Sequence, residues 1–287
     1  EATLKEALSK VKLKQSVKTT TNYTDVLKDK DIDAVAVVSD GSTHYKFAKE
    51  TLQSNKHVIV EKPLAFHSKD VKELIRISNK KNKTLMVGHL HLFNPAIQKL
   101  KEDIKAGLFG KINFVYSFGA GGPIRNDMGV LWDYFPHDVS ILLYLLDKYP
   151  ISLSANDASY VKKGIEDIAI MHLKFPNNVF ALAFGSWLYP LKKRELTIVG
   201  NKMYATFDDY AKEKLRYYNA LITSKNGKYK IPKIKETKPL TEQLKHFLEC
   251  IKNNKKPLTD GYEGLRVVRI LEAAHKSVKN NGLTINL

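Results

Sequence analysis

The sequence predicts an α/β protein in two parts: a doubly wound parallel sheet, then an α+β unit with an open, mostly antiparallel sheet. Three observations predict this. Short apolar runs alternate with helical patterns up to about residue 107, and such alternation marks βαβ units. Beyond that point strand-like segments follow one another, with hairpin-like turns at Pro176-Asn177-Asn178, Gly200-Asn201 and Asn226-Gly227. Finally, 287 residues suffice for roughly two domains. The boundary is expected near residues 107–111, giving units 1–108 and 109–287.

The elements follow in order. Residues 2–14 carry leucines at 4, 8 and 13 and read as a helix, and 23–30 as a short second one. The run DAVAVVS at 33–39 reads as a parallel strand buried on both faces. A helix is expected over 43–53 with Thr43 as N-cap, the buried strand HVIV over 57–60, and a Ser-capped helix over 68–80. A strand at 84–87 and a helix at 95–105, with Pro95 in its first turn, complete the first part. Then come a strand at 112–118, a glycine-rich turn, and a helix over 131–146. Strands are expected at 151–160, 168–175, 180–187, 195–199, 203–207 and 215–218, and closing helices at 241–252 and 262–279. No repeat and no low-complexity tract is present.

Composition excludes several classes. With 43% hydrophobic and 27% charged residues the chain is not mainly disordered. The longest informative apolar run, 139–146, is too short to span a bilayer, so no membrane partner is expected. The N-terminal residues do not read as a signal sequence, and a single cysteine, Cys250, precludes an internal disulfide. Cytoplasm is the expected location. The net charge of +17 raises polyanions as partners, but only six basic residues are arginine and the lysines are spread along the chain. The densest stretch, 225–238, reads as a loop. Nucleic acid is therefore not the expected partner.

A dinucleotide-binding sheet should open with a strand, a Gly-rich turn and a helix. This chain opens with a helix, and none of its 15 glycines forms G-x-G-x-x-G. Either the sheet binds no dinucleotide, or the sequence begins after the first βα unit. The second is the expectation taken here.

Several residues have the chemistry and the place for a site. Lys62 follows the strand at 57–60, between Glu61 and a Pro63 that suits a cis bond. Ligands of open α/β sheets bind outside the carboxyl ends of strands, so Lys62 is either a solvated charge or a site residue. Asp133 and His137 are four apart and share a helix face. Pro136 is tolerable if the helix begins near 131–133, where its N–H would be unpaired anyway. A neutral His beside a carboxylate suits proton removal from an alcohol; the alternative is a capping Asp and a half-buried His. Asp138 reads as a capping or structural acid. The run Ser39-Asp40-Gly41-Ser42-Thr43-His44 follows the strand at 33–39 and is either a plain loop or a phosphate or ribose cradle. His89 and His91 form an H-x-H pair, but no cysteine or matched carboxylate pair accompanies them, so no metal is expected. Trp132 and Trp187 read as packing residues.

Taken together, Ser42-Thr43-His44 after 33–39, Glu61-Lys62-Pro63, Val87-Gly88-His89, Phe93-Asn94-Pro95 and Asp133-x-x-x-His137-Asp138 resemble the Gfo/Idh/MocA oxidoreductase family. The closing run 271–277 is similar to that family's last helix. The resemblance implies an N-terminal Rossmann domain for NAD or NADP, and a C-terminal α/β domain whose sheet forms a homodimer or homotetramer interface. It implies that hydride passes between a sugar carbon and the nicotinamide. Lys62 corresponds to the family's active-site lysine, His137 to its general acid–base, and Asp133 to the residue that orients substrate and tunes both. Ser39, Ser42, His44, Glu61, Lys62 and His89 fall on the cofactor side. Phe66, His89 and Asn94 lie where the family lines the cleft, with Asn94 on the substrate side, and Arg125 is a candidate for an anionic substrate group. The stretch 125–133 is most similar to members acting on nucleotide-linked sugars such as UDP-N-acetylhexosamines. The competing readings are a non-catalytic nucleotide-binding relative that regulates a partner, and a polyanion-binding protein.

Overall fold

The computed structural model describes residues 17–220 and 228–287. The helix expected at 2–14 and the turn at Asn226-Gly227 lie outside them. The first sheet has three parallel strands in the order β1 (Ala34–Val37), β2 (His57–Val60), β3 (Leu85–Val87). Helix α1 (Tyr23–Lys28) precedes β1, while α2 (His44–Gln53) and α3 (Ser68–Lys81) make the crossovers. Strands β2 and β3 are almost fully buried, as unbroken apolar runs predict. Strand β1 departs from that expectation. Ala34 and Val35 are half-buried, Ala36 is exposed and Val38 is 76% exposed. Among the described residues β1 pairs only with β2.

Two helix starts differ from the local reading. Thr43 does not cap α2; its hydroxyl donates to Asp40 O at 2.7 Å. Residue His67, not Ser68, precedes α3, and Ser68 N–H donates to Glu272 Oε1 at 3.0 Å. The helix end is satisfied by a carboxylate distant in sequence rather than by a local hydroxyl. Helix α4 (Pro95–Lys105) starts as predicted, with Pro at its first position and Asn94 Oδ1 accepting from Ala96 N–H at 3.0 Å.

The second sheet has eight strands in the order β10-β9-β8-β4-β7-β6-β5-β11. They are β4 (Ile112–Ala120), β5 (Ser152–Ala158), β6 (Ile168–Phe175), β7 (Val179–Ser186), β8 (Lys193–Gly200), β9 (Met203–Asp208), β10 (Leu215–Asn219) and β11 (Ile285–Asn286). Every neighbouring pair is antiparallel except β4–β7. Helix α5 (Val130–Leu146) lies across this sheet where Gly119 and Gly185 are paired. A Cβ on Gly185 would come within 2.9 Å of Phe135, so its absence lets the helix approach. Helices α6 (Pro239–Lys252) and α7 (Gly261–Lys279) close the chain. Helix α7 packs back on the first sheet: Gly261 abuts Leu85 and Gly264 abuts Val87 and Leu64. The strap before it pairs with β3, Val87 N–H donating to Thr259 O and Thr259 Oγ1 to Val87 O, both at 2.7 Å. The two sheets and this helix share one continuous core.

Candidate active site

The carboxyl ends of β1, β2 and β3 face the amino-terminal half of α5. Lys62 lies just past β2, before a cis Lys62–Pro63 bond of the kind expected there. Its Nζ donates to Asp133 Oδ1 at 2.8 Å and to the Asp133 main-chain carbonyl at 2.6 Å. Both side chains are well covered, 14% and 16% exposed. The other carboxylate oxygen, Asp133 Oδ2, accepts from Trp187 Nε1 at 3.1 Å. Arg125 Nη1 stands 3.8 Å from Asp133 Oδ1. Asp133 sits in the first turn of α5, where the helix dipole favours negative charge.

One turn further, His137 presents a partly covered ring whose Nδ1 is buried without a hydrogen-bond partner. The ring meets His91 edge-on at 4.8 Å. Burial, reinforced by the Lys62 charge, holds His137 well below the usual histidine range. Burial likewise pushes His91 down to about 3, with Arg194 adding to the effect and Asp209 opposing it. Both imidazoles are therefore neutral near pH 7, the state in which a ring nitrogen can accept a proton. Pro136 lies inside the helix, further in than the sequence suggests, because α5 begins at Val130. At that position it withholds an N–H from the Trp132 carbonyl. Behind the ring, Asp138 is fully buried, accepting from Ser117 Oγ and lying 3.1 Å from Arg194 Nη2. Burial pushes its carboxyl up, and Arg194 opposes that shift.

The remaining predicted residues fall into two groups. Ser39 and Ser42 are exposed on the crevice side of β1, and Glu61 is half-buried with its carboxylate against Gly88. A Cβ on Gly88 would lie 2.9 Å from Glu61 Oε1. By contrast, His44 spends both ring nitrogens within the protein, on Pro63 O at 2.7 Å and Ser39 O at 3.0 Å. It fastens the turn after β1 to the turn after β2. His89 is buried with Nδ1 2.5 Å from Glu263 Oε2 of α7. Asn94 caps α4 with its oxygen and donates from Nδ2 to Asp209 Oδ1 at 2.9 Å. Arg125 forms a two-pronged pair with Asp127, both bonds 2.8 Å. Phe66 stacks edge-on against Trp132 at 5.1 Å. The H-x-H pair lies beyond the end of β3, in and before the turn Leu90–Phe93, and its two rings take different partners.

The structure thus gathers Lys62, Asp133, His137 and Arg125, with Ser39, Ser42 and Glu61 on the same side. Sequence reading missed Trp187, His91 and Glu166, whose roles depend on contacts distant in the chain. The donor set suits the nicotinamide half of a dinucleotide: serine hydroxyls and an ammonium group at strand carboxyl ends, and on α5 a histidine nitrogen without a partner.

Comparison with known proteins decides the family. Residues 2–89 match the oxidoreductase family with an NAD-binding Rossmann fold, and residues 97–206 match the C-terminal domain of the same GFO/IDH/MocA family. The chain belongs to the GFO/IDH/MocA family. It is 26% identical to the scyllo-inositol 2-dehydrogenase (NAD+) of Bacillus subtilis, covering 92% of this chain and 80% of that one. It is 25% identical to the UDP-N-acetylglucosamine 3-dehydrogenase of Acidithiobacillus ferrooxidans, over 83% and 76% of the two chains. The aldose-aldose oxidoreductase of Caulobacter crescentus superposes with a TM-score of 0.82 at 20% identity, over 92% and 82%. Membership makes this chain an oxidoreductase with NAD(P) as its cofactor. Among the described residues no helix is long and apolar enough to cross a membrane.

Proposed function

We propose that the protein interconverts a hydroxyl and a keto carbon of a sugar or polyol, with Lys62, Asp133 and His137 as the reacting constellation. The observation that carries this reading is the Lys62 ammonium seated on Asp133, one helical turn from a neutral, buried-edge histidine. Bound NAD(P) supplies or accepts the hydride. Lys62 donates a hydrogen bond to the reacting oxygen and stabilises negative charge developing there. His137 takes the hydroxyl proton in oxidation and returns it in reduction. Asp133 anchors Lys62 and orients the substrate. Ser39, Ser42, His44, Glu61, Lys62 and His89 form the cofactor side, with His44 and His89 acting through the main chain and α7 they hold. Arg125 and Asn94 border the substrate side. Chain order divides the labour, 1–108 serving the cofactor and 109–287 the substrate.

The substrate branch proposed is a nucleotide-linked sugar such as a UDP-N-acetylhexosamine. The net charge of +17 favours a diphosphate, and Arg125, 3.8 Å from Asp133, borders the place it would occupy. The outer face of the second sheet exposes Ile170 (43%) and Phe180 (42%) beside the stacked Phe118–Phe184 pair. A second copy of the chain covers this face in a homo-oligomer, working in the cytoplasm. The test is a panel of UDP-N-acetylhexosamines, inositols and free aldoses with NAD+ and NADP+, followed by nicotinamide absorbance. Turnover confined to the nucleotide sugars supports the branch. Preference for inositol or a free aldose moves the substrate to that class, and no turnover with any of them refutes the proposed reaction on a sugar or polyol.

A further inference from the structure

The amino terminus of α5, the helix that carries Asp133 and His137, is held by a residue that no local pattern announces. A helix leaves its first N–H groups without internal partners. Gly129, at the N-cap, has no side chain to offer. Val130 N–H donates to Glu166 O at 3.0 Å, and Leu131 N–H donates to Glu166 Oε1 at 3.2 Å. The carboxylate fits so closely that a Cβ on Gly129 would lie 1.9 Å from Glu166 Cδ. The N-cap glycine and the acid thus form one device, in which the missing side chain makes room for the cap.

The next residue extends the grip. Asp167 is fully buried, and its carbonyl accepts from Trp187 N–H at 3.0 Å. The Trp187 indole in turn donates to Asp133 Oδ2 at 3.1 Å. The dipeptide 166–167 therefore fixes Asp133 from two directions, through the helix end and through the indole. Pro136 increases the need for such anchoring, because it removes one bond between the first turn and the rest of α5. A carboxylate at this end also complements the helix dipole.

We propose that Glu166 is a positioning residue for Asp133, fixing the first turn of α5 so that one carboxylate receives both the Lys62 ammonium and the Trp187 indole. The proposal rests on the reading of Asp133 as part of the reacting constellation. Misplacement of a reacting group by an ångström can cost about 100-fold in rate. In the full-length protein Glu166→Ala is expected to lower kcat about 10- to 100-fold with the cofactor KM unchanged. Glu166→Gln, whose oxygen still accepts from Leu131 N–H, restores most of that loss. Gly129→Ala, which evicts the carboxylate without removing it, reproduces the Ala variant, and the double variant is no worse than either single one. Two readouts are independent of turnover. In a Trp132→Phe background, Glu166→Ala shifts the emission of Trp187, and amide exchange over residues 129–134 accelerates while that of β6 does not. Wild-type kcat in Glu166→Ala, or unchanged Trp187 emission and exchange, overturns the proposal. A wild-type protein without turnover sinks the functional reading instead, and the emission and exchange results then decide the positioning role on their own.

Discussion

Replacing Lys62 with methionine keeps the aliphatic stem and removes two hydrogen bonds, to Asp133 Oδ1 at 2.8 Å and to its carbonyl at 2.6 Å. Stripping a buried acid of its only partner costs about 3–5 kcal/mol. Asp133 is not left in that state: the Trp187 indole stays at 3.1 Å and Arg125 at 3.8 Å. The expected loss of stability is therefore about 1.5–3 kcal/mol, the range of a hydrogen bond to a charged group. Loss of rate should be far larger, about 100- to 1000-fold in kcat, because a donor aimed at developing charge is gone. A second signature follows from His137. The Lys62 charge is, after burial, the main influence holding His137 down. Without it the imidazole titrates at higher pH, so the acid limb of the oxidative kcat/KM profile moves upward. The assay is nicotinamide absorbance across a pH series, with urea denaturation for stability. Undiminished kcat, or an acid limb that stays in place in a folded variant, would rule out this role for Lys62.

Other consequences are equally open to test. His91 is held at about 3 chiefly by burial, while the unfolded chain protonates near 6.5. The unfolded state therefore binds more protons below pH 6.5, and stability is full above that value and falls as pH drops toward 3; from His91 alone the loss is about 2–3 kcal/mol by about pH 4.5. Urea midpoints at neutral and acid pH should converge in His91→Phe relative to the wild type, and an unchanged acid loss would contradict this. Trp187→Phe removes the indole bond to Asp133 Oδ2; it should cost about 0.5–1.5 kcal/mol of stability and up to about tenfold in kcat, read by thermal melts and steady-state kinetics. Gly88→Ala places a methyl 2.9 Å from Glu61 Oε1; displacing that flexible carboxylate should weaken NADH affinity with little change in Tm, and equal affinity would remove Glu61 from the cofactor side.

How much of this was legible depended on whether the signal was local. The strand HVIV needed only its own apolar run, and β2 formed at its predicted residues. The run at 33–39 gave the strand but not its surroundings, since an apolar run does not reveal whether a neighbour covers it. The start of α5 lies one residue before the predicted one for a related reason. Its cap comes from Glu166 across the fold, so Gly129 carries no sign of a helix start and Pro136 lies one residue further in. Asp133 and His137 were visible because four-residue spacing is a property of one helix, and Lys62 because strand ends are where open sheets bind ligands. Trp187 and His91 were not. Their contacts follow from the position of β7 beside α5 and from a single turn after β3. The adjacent acids Glu166-Asp167, directly before the apolar strand β6, were the one available hint that charged groups are buried there.

The proposed division of labour gives Lys62, Asp133 and His137 the proton in a hydride transfer to or from NAD(P). It is tested most directly with the wild-type protein and His137→Gln, each titrated with NADH by nicotinamide fluorescence and then assayed for turnover on the best sugar of the panel. Saturable NADH binding by both proteins is expected, with turnover by the wild type alone. Equal turnover by His137→Gln, or a wild-type protein that does not bind NADH, would contradict it.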